Sequence, residues 1–226
     1  MSRSKGAYIG GFFGSKAQAR RVGSAIQEFY GFADLYTDSF ASSMDDMDRT
    51  ATAIHKRRTT TNSASMEVVR RALEMDARPE EVILVVGCTP TPLRQLAYRA
   101  VSKTLLMPGR VGMQNALRFY AECTSEIVRH TPGNAKRLLR NKDDNVPIPE
   151  GNVFDVAIRA AGLDIPTTLV FATKDEFGFG QNAHDQITEA RNHDVDIAYL
   201  EGYHDMQLHY PREVHDALQD RRNFVY

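Results

Sequence analysis

The sequence predicts an α/β protein with a mostly parallel sheet flanked by helices. Short β-prone segments alternate with amphipathic helical stretches, the pattern of strands joined by crossover helices. The segment Val82 to Val86 is continuously apolar instead of alternating, as in a strand covered on both faces. The same alternation resumes after a long interval without strands, reading strand, helix, strand and a terminal helix.

Gly6 to Phe13 read as a buried strand flanked by glycine, feeding a helix from Ser15 to Phe29 with Val22, Ile26 and Phe29 on one face. Tyr30 to Leu35 form a second apolar run ending near Asp38 and Ser39, and the acidic Ser42 to Asp48 suit a loop and a helix start. Lys56, Arg57 and Arg58 interrupt the next segment, leaving strand propensity on Thr59 to Thr61. After Ser63, the spacing of Met66, Val69, Ala72 and Leu73 gives an amphipathic helix that stops before Pro79.

From Thr91 to Gly162 the spacing predicts a helical insert, with Leu93 to Lys103, Gly112 to Arg129 and Ala135 to Arg140 amphipathic. Asn141 to Asn145, Pro147 and Pro149 mark a loop before a further helix from Val153 to Ala161. Arg129, Lys136, Arg137, Arg140 and Lys142 read as a solvated helix face, with an anion site as the sharper alternative. Pro166 introduces a strand from Thr167 to Thr173, followed by a helix from Gln181 to Asn192 and a strand from Val195 to Leu200. Pro211 suits the first turn of a terminal helix carrying Val214, Ala217 and Leu218.

At 226 residues and 42% hydrophobic content, residues 1–226 are expected to form a single domain with a real core. The 28 basic and 29 acidic residues nearly cancel, so neither nucleic acid nor an anionic membrane is an expected partner. Cys88 and Cys123 form no Cys-x-x-Cys pair, which argues against a disulfide scaffold or a zinc site. Arg3, Lys5, the apolar Ala7 to Phe13 and Ala17-Gln18-Ala19 superficially imitate a secretory leader. The run is short and broken by glycines, and Lys16 sits where cleavage would occur, so the expected location is the cytoplasm.

Three expected strand ends carry residues used in acyl transfer: Ser63, Asp175 and His204, in the order nucleophile, acid, base. A serine between a strand and a helix sits on a sharp turn that exposes its hydroxyl, while the following N–H faces a developing oxyanion. The competing structural reading is that Asn62 or Ser63 merely caps the helix. Glu176 competes with Asp175 as the acid, and His209 and His215 compete with His204 as the base. His55, His130, His184 and His193 read as surface or helix-end residues, and Tyr203, Phe12 and Phe13 as either pocket or core.

On these residues the chain resembles the α/β-hydrolase fold family, from Gly6 to about Leu218. Gly10-Gly11-Phe12-Phe13-Gly14-Ser15 is similar to its oxyanion loop, Thr61 to Ser65 to its nucleophile elbow, and Cys88 to Pro92 to the turn leaving its next strand. Phe171 to Phe177 resembles its acid loop and Gly202-Tyr203-His204 its histidine loop. Gly10 stands where the family has a loop histidine, Thr61 and Ser65 replace both elbow glycines, and the usual first two strands are missing. The resemblance implies a lid at the insert, about 91–162, and a small serine hydrolase of carboxylesterase or acyl hydrolase type. Ser63, His204 and Asp175 would form its triad, with the N–H groups of Phe12 and Ala64 as the oxyanion hole. It implies a small-molecule acyl substrate and neither a metal nor an organic cofactor, and it is compatible with a homo-oligomer.

Two other readings compete. A catalytically silent binding or scaffolding relative is suggested by the lost elbow glycines. A dinucleotide-binding domain is suggested by Gly11 and Gly14 with Asp34 and Asp38 beyond, although the first fingerprint glycine would fall at Ile9 and no Gly-Lys-Ser/Thr loop exists.

Overall fold

The structure, a computed structural model, describes residues 4–11, 14–86, 105–109, 111–122, 124, 151–175 and 183–220. Six parallel strands lie in the order β2-β1-β3-β4-β5-β6: β1 Lys5–Ile9, β2 Asp34–Asp38, β3 Arg58–Asn62, β4 Glu81–Val85, β5 Thr167–Ala172 and β6 Asp196–Leu200. The chain runs outward from β1 to β2, then crosses back over β1 and proceeds to β6. This reversal leaves the carboxyl ends of β1 and β3 adjacent, where an α/β sheet commonly builds its site.

Each strand turns alternate residues to opposite layers, and both layers are apolar. Ala7, Ile9, Val82, Leu84, Leu169, Phe171 and Ile197 face the larger core cluster, under α3 (Met47–Ala53), α4 (Met66–Glu74), α5 (Val153–Ala161) and α6 (His184–Asn192). Tyr8, Ile83, Val85, Val170 and Ala172 face the other layer, which holds α1 (Lys16–Tyr30), α7 (Met206–His209) and α8 (Pro211–Gln219). Burial on both faces explains why Val82 to Val85 is continuously apolar.

Several expected boundaries shift. β1 ends at Ile9, not Phe13, because Gly10 and Gly11 already belong to the loop. The run Tyr30 to Leu35 divides: Tyr30 closes α1, Gly31 takes the left-handed cap at φ 66°, and the strand begins only at Asp34. The stretch read as a loop and helix start contains two short helices, α2 (Phe40–Asp45) and α3, each opened by a side-chain cap, from Ser39 and Asp46. α5 agrees with its expected bounds, yet Val153, Phe154, Val156, Ala157 and Ala160 pack into the main core. The end of the expected insert is therefore a sheet-covering helix. Residues 105–109 and 113–122 are helical, and Arg21 of α1 donates to Glu122 at 2.8 and 3.3 Å. Leu93 to Lys103, Ala135 to Arg140 and both cysteines lie outside the described residues. Among the described residues, no helix is long and apolar enough to cross a membrane.

Every connection from a helix into the next described strand contains a left-handed residue: Gly31, Lys56, Asp76, Asp164 and Asp194. Asp tolerates this conformation better than most residues, whereas Lys56 at φ 54° does not. Lys56 is exposed and its N–H bonds Arg78 O at 2.9 Å, a bond that glycine retains. Lys56→Gly is expected to stabilise the protein by about 0.5 to 1 kcal/mol, read as a rise of about 1–4 °C in Tm.

A buried polar group ties α8 to α1. His215 is fully enclosed, with Nδ1 hydrogen-bonded to Tyr30 Oη at 2.9 Å and Nε2 to Gln207 at 3.2 Å. Burial, reinforced by the Arg58 guanidinium, pushes the His215 pKa down to about 4 from its ordinary 6.5. The unfolded chain therefore takes up this proton first as pH falls. The contribution to stability is complete above about pH 6.5 and is lost on descent toward pH 4. Between pH 7 and pH 5 the wild type is expected to lose about 2 kcal/mol more than a His215→Gln variant in urea unfolding.

Candidate active site

β3 leaves the sheet through a strained turn. Asn62 is extended at φ −122°, whereas Ser63 takes φ 56°, a left-handed value costly for a residue with a Cβ. Ser63–Ser65 then form one 3₁₀ turn that runs into α4. Neither Asn62 at the start of this turn nor Ser65 before α4 makes a side-chain capping bond. The capping reading thus fails for Asn62, and the turn positions the Ser63 hydroxyl at the carboxyl edge of the sheet.

The acid and histidine loops are joined by the continuation of the β5–β6 pairing. Thr173 N–H donates to Leu200 O and Lys174 N–H to Gly202 O, both at 2.9 Å, while Asp175 N–H turns back to Ala172 O at 3.2 Å. These bonds bring Asp175 beside His204 although the strand itself ends at Ala172, three residues earlier than Asp175. His204 Nδ1 lies 3.1 and 3.3 Å from the two carboxylate oxygens of Asp175, and its Nε2 lies 3.0 Å from Ser63 Oγ. Ser63, His204 and Asp175 are 8%, 5% and 4% exposed, so water screens these contacts little.

The competing residues are occupied elsewhere. His209 Nε2 lies 3.5 Å from Asp205, and His215 is held by Tyr30 and Gln207. His55, His184 and His193 are exposed, as is Tyr203, while His130 and Glu176 lie outside the described residues. Ala64, the residue after the nucleophile candidate, is buried. Phe12, the other expected oxyanion donor, lies outside the described residues, as does Phe13. Among the described residues, no cluster of three or more His, Cys, Asp or Glu is suited to a metal ion.

The start of the loop after β1 is held against the elbow. Gly10 N–H donates to Asp38 O at 2.9 Å, Gly14 N–H donates to Gly11 O at 2.8 Å, and Ser15 with Gln18 forms a reciprocal capping box opening α1. A Cβ on Gly11 would lie 3.2 Å from both Asn62 O and Asn62 Nδ2 and 3.4 Å from Ser63 Cβ, so this glycine permits the close approach of the two turns. Sequence reasoning missed the capping box, although Ser15 and Gln18 carry its spacing. It also missed a contact of Ser65: its buried Oγ donates to Gly10 O.

No protein-family model matches the sequence, and no curated protein matches it. Solved structures do match in fold. A structure from work on carboxylesterases of the ammonia-oxidizing thaumarchaeon Nitrososphaera gargenis has a TM-score of 0.62 at 12% identity, covering 96% of this chain and 89% of that one. The thioesterase domain from the curacin biosynthetic pathway gives 0.59 at 12% identity, covering 96% and 92%. An extracellular α/β-hydrolase from a Paenibacillus species gives 0.56 at 12% identity, covering 99% and 100%. At such identities a likeness speaks for architecture alone, and with the strand order above it gives the conclusion: this chain has the α/β-hydrolase fold.

Proposed function

We propose that the protein is a serine hydrolase of carboxylesterase or acyl hydrolase type, acting on an ester or thioester bond of a small acyl substrate. The observation that carries this reading is the unbroken contact from Ser63 through His204 to Asp175, with the serine on a strained turn between strand and helix. The fold's occurrence in a thioesterase domain and in a structure from carboxylesterase work supports it. A silent relative has no need to hold three groups in this register.

Ser63 Oγ attacks the substrate carbonyl carbon as its proton passes to His204 Nε2. Asp175 accepts from His204 Nδ1–H, fixing the tautomer that leaves Nε2 free to act as base and stabilising the imidazolium that forms. The oxyanion is held by the N–H groups of Ala64 and Phe12; one such donor is typically worth about two to three orders of magnitude in turnover. The leaving alkoxide or thiolate takes the proton from Nε2. Water, activated by the same imidazole, then releases the acyl group from Ser63. The sequence balances without a metal or organic cofactor. Residues 113–122, tied to α1 through Arg21 and Glu122, would be part of the lid that the resemblance implies.

Turnover of a chain-length series of p-nitrophenyl esters and acyl thioesters tests the proposal. The wild type is expected to hydrolyse at least one series with saturation; rates indistinguishable from those of Ser63→Ala across both would refute it.

A further inference from the structure

Ser65 stands at a position where the resemblance calls for glycine, two residues beyond the nucleophile. Its side chain is fully buried and makes no cap to α4. Instead its hydroxyl donates to the carbonyl of Gly10, at the root of the loop that precedes Phe12. β1 and β3 pair as far as Ile9 and Thr61, and β3 leaves the sheet after Asn62. Gly10 lies one residue beyond the last β1–β3 pair, and its carbonyl accepts from the Ser65 hydroxyl. A buried carbonyl left without a donor is costly, so this bond is one the fold has reason to keep.

We propose that Ser65 is a positioning residue that clamps the oxyanion loop to the nucleophile elbow. This inference rests on the serine hydrolase reading. A peptide unit is planar, so fixing the Gly10 carbonyl also fixes the direction of the Gly11 N–H in the same plane. With Gly10 N–H bonded to Asp38 O, both backbone polar groups of Gly10 are held, one by β2 and one by the elbow. Gly11 then packs directly on Asn62 and Ser63, and its carbonyl accepts from Gly14 N–H. Oxyanion donors act through preorganisation, and a small displacement of the loop is felt most in the transition state. The serine that replaces an elbow glycine therefore sets the distance between nucleophile and oxyanion hole without touching the substrate.

The test compares wild type with Ser65→Ala, and with Ser65→Cys as the variant that keeps a weak donor. Ser65→Ala is expected to lower kcat about 10- to 100-fold with KM within about twofold, and to weaken a tetrahedral boronic acid adduct on Ser63 by the same factor as kcat. Ser65→Cys should recover part of both. Independently of catalysis, hydrogen exchange at the Gly14 amide should quicken about tenfold or more in Ser65→Ala, with the Gly11 amide resonance shifted. Unchanged exchange and resonance, or wild-type kcat in Ser65→Ala, would overturn the clamp. A fall in kcat accompanied by an equal loss of folded protein would also overturn it. A wild type without hydrolysis would instead overturn the parent reading, while the exchange measurement still judges the clamp.

Discussion

Ser63→Ala is expected to lower turnover by at least about four orders of magnitude, leaving only what binding and the oxyanion hole contribute. The same position carries a second expected result of opposite sign. Ser63 sits at φ 56°, and alanine inherits that strain whereas glycine does not. Ser63→Gly should be as inactive as Ser63→Ala yet more stable than the wild type by about 1 kcal/mol in urea unfolding. A glycine variant no more stable than the alanine one would mean that the turn stores no strain. An alanine variant retaining substantial turnover would remove Ser63 from the chemistry altogether.

The second large effect concerns the other two groups. Asp175→Asn replaces a carboxylate, which can only accept from His204 Nδ1–H, with an amide that can also donate and so favours the wrong tautomer. It is expected to cost about three to four orders of magnitude in kcat with little change in KM. His204→Ala should cost about as much as Ser63→Ala, and the double variant no more than either, since the two act as one unit. His209→Ala and Glu176→Gln are the matched controls, expected to stay within a few-fold of wild type. Equal losses for His204→Ala and His209→Ala would reassign the base.

Most of this architecture was legible because burial on two faces leaves a simple mark: Val82 to Val85 and Leu169 to Ala172 are apolar without interruption. β3 was the hard strand. Thr59, Thr60, Thr61 and Asn62 are all buried, yet their polarity hides a central strand from hydropathy; of the preceding basic run, Lys56 and Arg57 belong to the turn that enters it and Arg58 opens the strand. The short helices α2 and α3 were missed because Ser42, Ser43 and Asp45 read as loop residues, while the caps that start them come from Ser39 and Asp46.

At the site, chain order made Ser63, Asp175 and His204 the candidates, because each follows a strand and parallel strands gather their carboxyl ends. What order did not carry was the means of alignment. The bonds of Thr173 and Lys174 to the histidine loop are backbone contacts without a residue signature. The bond from Ser65 to Gly10 joins residues 55 positions apart, a separation at which no local spacing rule operates. The replaced glycine was the visible trace of that contact, and its small size was legible where its hydroxyl's partner was not.

The most direct measurement is peptide mapping of the intact protein after incubation with a fluorophosphonate at near-neutral pH. A single covalent adduct on Ser63, absent from Ser63→Ala and strongly slowed in His204→Ala, is the predicted result. No adduct on the folded wild type, or an adduct at another serine that persists in Ser63→Ala, would contradict it.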